Sequence, residues 1–112
     1  MEGALARGPT VVNRKAAVKK AETILTLHPE SGKKGVRIKR ELYDMVRAAL
    51  QSELRKRGAT PFRELMEAVM IRLGPDFPGS PGWYFTTVKL DLEARSHIRC
   101  DRSGKVQVVS LP

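Results

Sequence analysis

The side chains with chemistry to offer are few. Two carboxylates, Asp91 and Glu93, stand two residues apart; His97, Cys100 and Asp101 follow, and His28 lies far upstream. Acids spaced by two on a helix point to different sides, so the expectation for the pair is surface salt bridging, not general acid–base work. His97 and Cys100 supply two ligands where a structural zinc site wants four. Cys100, the single cysteine, reads instead as a small hydrophobe on a strand. The run Ser31-Gly-Lys-Lys-Gly35 lacks the Walker spacing and opens no helix, which argues against nucleotide binding. With no Ser/His/acid or Cys/His constellation to place, the sequence predicts no catalytic residue, no metal and no cofactor.

Positive charge is what the chain has in quantity. The 112 residues carry a formal net charge of +9 and a pI near 10.2, a balance that points to nucleic acid or an anionic surface. Residues 1–40 hold ten Lys or Arg against three acids, or +7, whereas residues 41–112 hold eleven against nine, or +2. Any grip on phosphate is therefore expected mainly from the N-terminal third. At 41% hydrophobic and 29% charged residues the composition is that of a soluble globular chain. No apolar run reaches the roughly 20 residues needed to span a bilayer, and the start has no signal-peptide core. A cytoplasmic location is expected, without a membrane partner.

The elements that must position these charges can be read in order. Residues 1–21 mix Gly, Pro, Ala and cations and predict a basic tail, with residues 22–112 as one domain. Thr23 to Leu27 is strand-prone, Glu30 to Gly35 supplies turn residues, and Val36-Arg-Ile38-Lys39 alternates apolar with basic. A β-hairpin with Val36 and Ile38 inward follows. From Arg40 to Arg57 the period becomes helical: Leu42, Met45, Val46, Ala49, Leu50 and Leu54 make a stripe with Tyr43 on its margin, and Gly58 stops the helix. Thr60 as N-cap and Pro61 at the first helical position begin a second helix. Its core stripe is Phe62, Leu65, Met66, Val69, Met70 and Leu73. After a loop rich in Gly and Pro, Ser80-Pro81 starts a third helix to about Arg95 by the same logic.

That third helix has two apolar sides. At roughly 100° per residue, Phe85, Val88 and Leu92 share one, and Trp83, Leu90 and Ala94 lie nearly opposite. Thr86, Lys89 and Glu93 line one polar strip between them, and Tyr84, Asp91 and Arg95 the other. The N-terminal hairpin is expected to cover the second apolar side. Ile98 to Asp101 and Val106 to Val108 then alternate about an Asp101-Arg-Ser-Gly104 turn, a hairpin. Val109 and Leu111 fall on the opposite parity and require a bulge or two-sided covering. The fold class is α+β: a winged helix of three helices and a C-terminal β-hairpin wing, with an additional N-terminal β-hairpin.

Gly35-Val-Arg-Ile38, the Tyr43-containing helix and above all Gly82-Trp-Tyr-Phe-Thr-Thr-Val-Lys-Leu-Asp-Leu-Glu-Ala-Arg95 resemble a family of small, functionally unassigned, mostly bacterial proteins with a winged-helix-like fold. The resemblance covers about Glu22 to Leu111 and implies no enzyme chemistry. Ser96-His97 stands where the resemblance implies a Gly to end the helix.

Two functions are weighed. As a DNA-binding winged helix (a helix-turn-helix relative), the chain would place Thr86, Thr87 and Lys89 toward bases. Arg14, Lys15, Lys19, Lys20, Lys33, Lys34, Arg37, Lys39, Arg102 and Lys105 would lie toward phosphate. DNA is favoured over RNA because exposed aromatics for stacking are scarce. As the alternative, Trp83, Leu90 and Ala94 form the interface of a homodimer or of a complex with a protein partner.

Overall fold

The computed structural model describes residues 22–112; the expected basic tail, with Arg14, Lys15, Lys19 and Lys20, lies outside them. The chain is α+β. Strands β1 (Thr23–Leu25) and β2 (Arg37–Lys39) form a two-stranded antiparallel sheet, followed by helix α1 (Arg40–Arg57). Strand β3 (Thr60–Pro61), helices α2 (Phe62–Leu73) and α3 (Pro81–Ala94), and strands β4 (Arg99–Asp101) and β5 (Val108–Ser110) complete it. The second sheet is antiparallel in the order β3-β5-β4.

Helix α1 runs over the span its periodicity predicts. Glu41 stands in its first turn and Arg55, Lys56 and Arg57 in its last, which complements the helix dipole. Gly58, at φ 77°, adopts the left-handed conformation that favours glycine. Val46, Leu50 and Leu54 are buried against Leu65 and Val69 of α2, Phe85, Val88 and Leu92 of α3, and Ile98 and Val109 of the second sheet. Each such side chain contributes about 1.5–3 kcal/mol by leaving water. Phe85 is edge-on to Phe62 at 5.4 Å between centroids. Phe77 is buried and anchors the loop before α3.

Several sequence expectations need correction. Tyr43, placed on the margin of α1, is among the most deeply buried side chains, whereas Met45 and Met70 are exposed. Thr60 does not cap α2. It pairs with Val109 across the sheet, its hydroxyl donates to the Gly58 carbonyl at 2.8 Å, and α2 begins one residue later, after Pro61. The pull of β5 explains the change, since Phe62 N–H also donates to the Gln107 carbonyl at 2.8 Å. Register with β5 outweighs the local cap. Val36 is exposed although Ile38 is buried; the buried Thr26 supplies the inward polar contact there. Its hydroxyl donates to the Val36 carbonyl and accepts from the Val36 N–H, both at 2.9 Å. Gly35 is required beside it, because a Cβ would stand 1.8 Å from the Thr26 carbonyl oxygen.

The second hairpin resolves the parity conflict at Val109. Cys100 pairs with Val109 and Asp101 with Val108. Val109 is buried and Val106 is exposed, so the connecting loop is longer than a tight turn and resets the alternation. Ser80 caps α3 as expected, accepting from the Trp83 N–H at 3.3 Å. At the other end Ser96 has φ 65°, the one positive φ at a non-glycine among the described residues. The position that the resemblance gives to glycine is thus left-handed here too, occupied by a residue that resists it.

Candidate functional site

Helix α3 is the element around which the candidate site is built. Its inward side, Phe85, Val88 and Leu92, is fully buried. The polar strips beside it are buried as well. Asp91 is enclosed: its carboxylate accepts from the Tyr43 hydroxyl of α1 and from the Leu27 N–H at 2.8 Å. Arg95 Nε donates to both carboxylate oxygens at 2.9 Å. One side chain thereby joins the first hairpin, α1 and α3. Burial first, and the Asp91 hydrogen bond second, push the Tyr43 hydroxyl up to about 12.

The opposite strip is closed by charge. Lys89 is only 3% exposed; its Nζ lies 3.6 Å from Glu93 Oε1 and 5.5 Å from the Phe62 ring centroid. Glu93 also accepts from Arg102 through both oxygens, at 2.8 and 3.0 Å. The Arg102 guanidinium holds the Glu93 carboxyl below its ordinary value. The adjacent Cys100 thiol is pushed up by burial and stays a packing residue. A third carboxylate, Glu53, is buried between α1 and α2, where Arg57 donates to it at 2.8 Å and Arg72 at 2.9 Å. These contacts lock the helices and consume four of the cations.

The expected nucleic-acid contacts are accordingly dispersed. Lys89 is turned inward and is removed from any groove-facing set. Arg102 is committed to Glu93. Lys33 pairs with Glu30 at 2.9 Å, and Arg37 donates to the Thr23 hydroxyl at 3.1 Å. Lys34, Arg37, Lys39 and Lys105 are exposed and form no ion pair with a described residue. Thr86 is exposed, its hydroxyl donating to the Gly82 carbonyl at 3.0 Å, and Thr87 is half-buried.

What α3 leaves outward is nearly uncharged. Trp83 is 47% exposed, with its ring edge-on to Tyr84 at 5.0 Å, and Leu90 and Ala94 are half-buried. The first hairpin meets α3 beside this face, at Asp91, through the Leu27 N–H, and it leaves Trp83 uncovered. Trp83, Thr87, Leu90 and Ala94 share one stripe at spacings of four, three and four. Glu93 and Arg102 neutralise each other along one edge, and Asp91 and Arg95 along the other.

Sequence reasoning missed Tyr43, Asp91 and Glu53 as organising residues. The one signal was Asp91 between Leu90 and Leu92, far from the helix start where a carboxylate has a dipole to complement. Among the described residues no three His, Cys, Asp or Glu side chains are placed to hold a metal ion, and no helix is long and apolar enough to cross a membrane.

A family model whose description is a family of unknown function, DUF6958, matches residues 23–108. No curated protein and no solved structure matches the chain.

Proposed function

The chain belongs to this family of unknown function, and we propose that it is a non-enzymatic winged-helix module whose outward α3 face docks on protein. The element order supports the winged helix: helix, short strand, two helices and a hairpin, with the short strand completing a three-stranded sheet. The observation that carries the function is Trp83, half-exposed on a face that presents no Lys or Arg. A half-exposed Trp beside small and apolar neighbours suits the anchor of a protein interface. A reader of DNA would instead need cations where α3 has Thr86, Leu90 and Ala94.

The test is a photoreactive residue substituted for Thr86 and, as a control, for Lys105, in cells that make this chain. A protein adduct from position 86 that is lost with Trp83→Ala, with none from position 105, is the expected result. The absence of any protein adduct at position 86 overturns the reading.

A second reading, nucleic-acid binding through the phosphate backbone, is favoured by the exposed Lys34, Arg37 and Lys39 of the first hairpin. It requires an affinity that falls with salt, with a slope of about −0.9 per phosphate neutralised. Loss of that slope on replacing the three cations, with no change in Lys89→Ala, fits backbone contact; no binding to mixed-sequence duplex at low salt excludes it.

A further inference from the structure

The outward face of the first hairpin joins two rows of unlike chemistry. Ile38 is buried and Ile24 packs against the core, so the alternate residues point away from it. Along β1 and its continuation these are Leu25 and Leu27, 50% and 41% exposed. Along β2 they are Arg37 and Lys39, both exposed. The register sets Leu25 opposite Arg37 and Thr23 opposite Lys39. Arg37 Nη1 donates to Thr23 Oγ1 at 3.1 Å, as residues on one face of a strand pair can. Lys34 and Val36, also exposed, carry both chemistries on toward the turn.

A row of cations suits any polyanion, and the aliphatic row decides among them. A phosphate backbone pairs with Arg37 and Lys39 but leaves Leu25 and Leu27 in water, and residues 22–39 hold no Phe, Tyr or Trp to stack on a base. An acidic peptide has too little edge to extend. The bonds from the Arg40 N–H to Glu22 and from the Thr26 N–H to Val36 turn the N–H groups of Thr23, Leu25 and Leu27 away from β2. Leu27 has already given its N–H to Asp91 at 2.8 Å, which leaves two donors for strand addition. An anionic bilayer takes both rows, because phosphate headgroups meet the cations while the aliphatic side chains enter the layer beneath. We infer that this face of the first hairpin binds an anionic lipid surface, with Arg37 and Lys39 on the headgroups and Leu25 and Leu27 inserted below them. Contact of this kind needs no spanning helix, and none is present among the described residues. The surface is separate from the outward face at Trp83, so neither reading depends on the other.

Each cation held near an anionic surface strengthens partitioning about fivefold, and two short aliphatic side chains anchor less than the single acyl chain that gives only reversible binding. The contact is therefore reversible and weakened by salt. The experiment is flotation of the full chain with vesicles of phosphatidylcholine alone and of an equal mixture with phosphatidylglycerol. Wild type should float with the mixed vesicles and not with phosphatidylcholine alone. Leu25→Ser with Leu27→Ser should lower that binding at least about tenfold and leave any affinity for mixed-sequence duplex unchanged. Arg37→Gln with Lys39→Gln should lower it about 25-fold. Arg55→Gln with Lys56→Gln makes the same charge change at the far end of the 18-residue α1, about 24 Å from Arg40, and should lower it by no more than about twofold. Circular dichroism checks that the variants are folded; if the serine pair is not, Leu25→Ala with Leu27→Ala makes the same test. A wild type that stays off the mixed vesicles overturns the inference, as does an equal loss from the α1 pair. Vesicle binding that survives removal of both leucines overturns the inserted anchor and leaves the hairpin to the phosphate-backbone reading.

Discussion

Tyr43 and Asp91, 48 residues apart in sequence, meet in the interior as hydroxyl donor and carboxylate acceptor. The contact fixes α1 against α3, and the Leu27 N–H brings the first hairpin to the same carboxylate. Removing the acceptor leaves the buried Tyr43 hydroxyl and the part-buried Leu27 N–H without their partner, with Arg95 losing its anchor. Asp91→Ala should therefore cost about 3–5 kcal/mol, as breaking a buried ion pair from one side does. Tyr43→Phe, which leaves the other donors in place, should cost about 1–2 kcal/mol. Urea unfolding of the two variants checks the order.

Alkaline pH should unlock the same contact. Burial raises the Tyr43 hydroxyl in the folded state to about 12 from an ordinary 10.0. A group raised on folding binds its proton more tightly in the native chain. Its contribution is fully present below pH about 10 and is lost as pH rises toward 12. In a Tyr84→Phe background, Tyr43 is the single remaining tyrosine, so its ultraviolet absorbance reads the titration directly. The expected outcome is a midpoint about two units above an ordinary tyrosine, coupled to loss of stability in that window; a midpoint near 10 contradicts it.

Ser96→Gly should stabilise the chain. The left-handed conformation at φ 65° costs a residue with a Cβ about 1–2 kcal/mol, and glycine returns part of that gain through its freer unfolded state. A net increase of about 0.5–1 kcal/mol is expected in thermal or urea unfolding. Ser96→Val, a branched residue at the same φ, should lower stability.

Trp83→Ala should cost about 1 kcal/mol of monomer stability. With the ring 47% exposed, the loss is confined to its edge contact with Tyr84 and partial burial. This is well below the about 3–5 kcal/mol of a core aromatic. Urea unfolding at low micromolar concentration measures the effect. Phe85→Ala, on the inward side of the same helix, should fall in the larger range.

The sequence by itself determined the elements. The helical period from Leu42 to Leu54 and the stop at Gly58 delimited α1, Ser80-Pro81 opened α3, and the inward stripe Phe85, Val88, Leu92 was legible because periodicity assigns faces within a helix. The tertiary structure alone decided which charges are available and which face stays open. Lys89 and Asp91 read as surface residues because a pattern along one helix says nothing of a carboxylate or hydroxyl brought in from another. Only the meeting of α3 with Tyr43, Leu27 and Arg102 lets those charges be buried, since a desolvated ion is tolerated when partners replace its water. The openness of Trp83 follows from the same packing: the first hairpin reaches α3 at Asp91, about two turns further along the helix. Whether an apolar stripe is covered is a property of neighbours distant in sequence, and no local pattern encodes it.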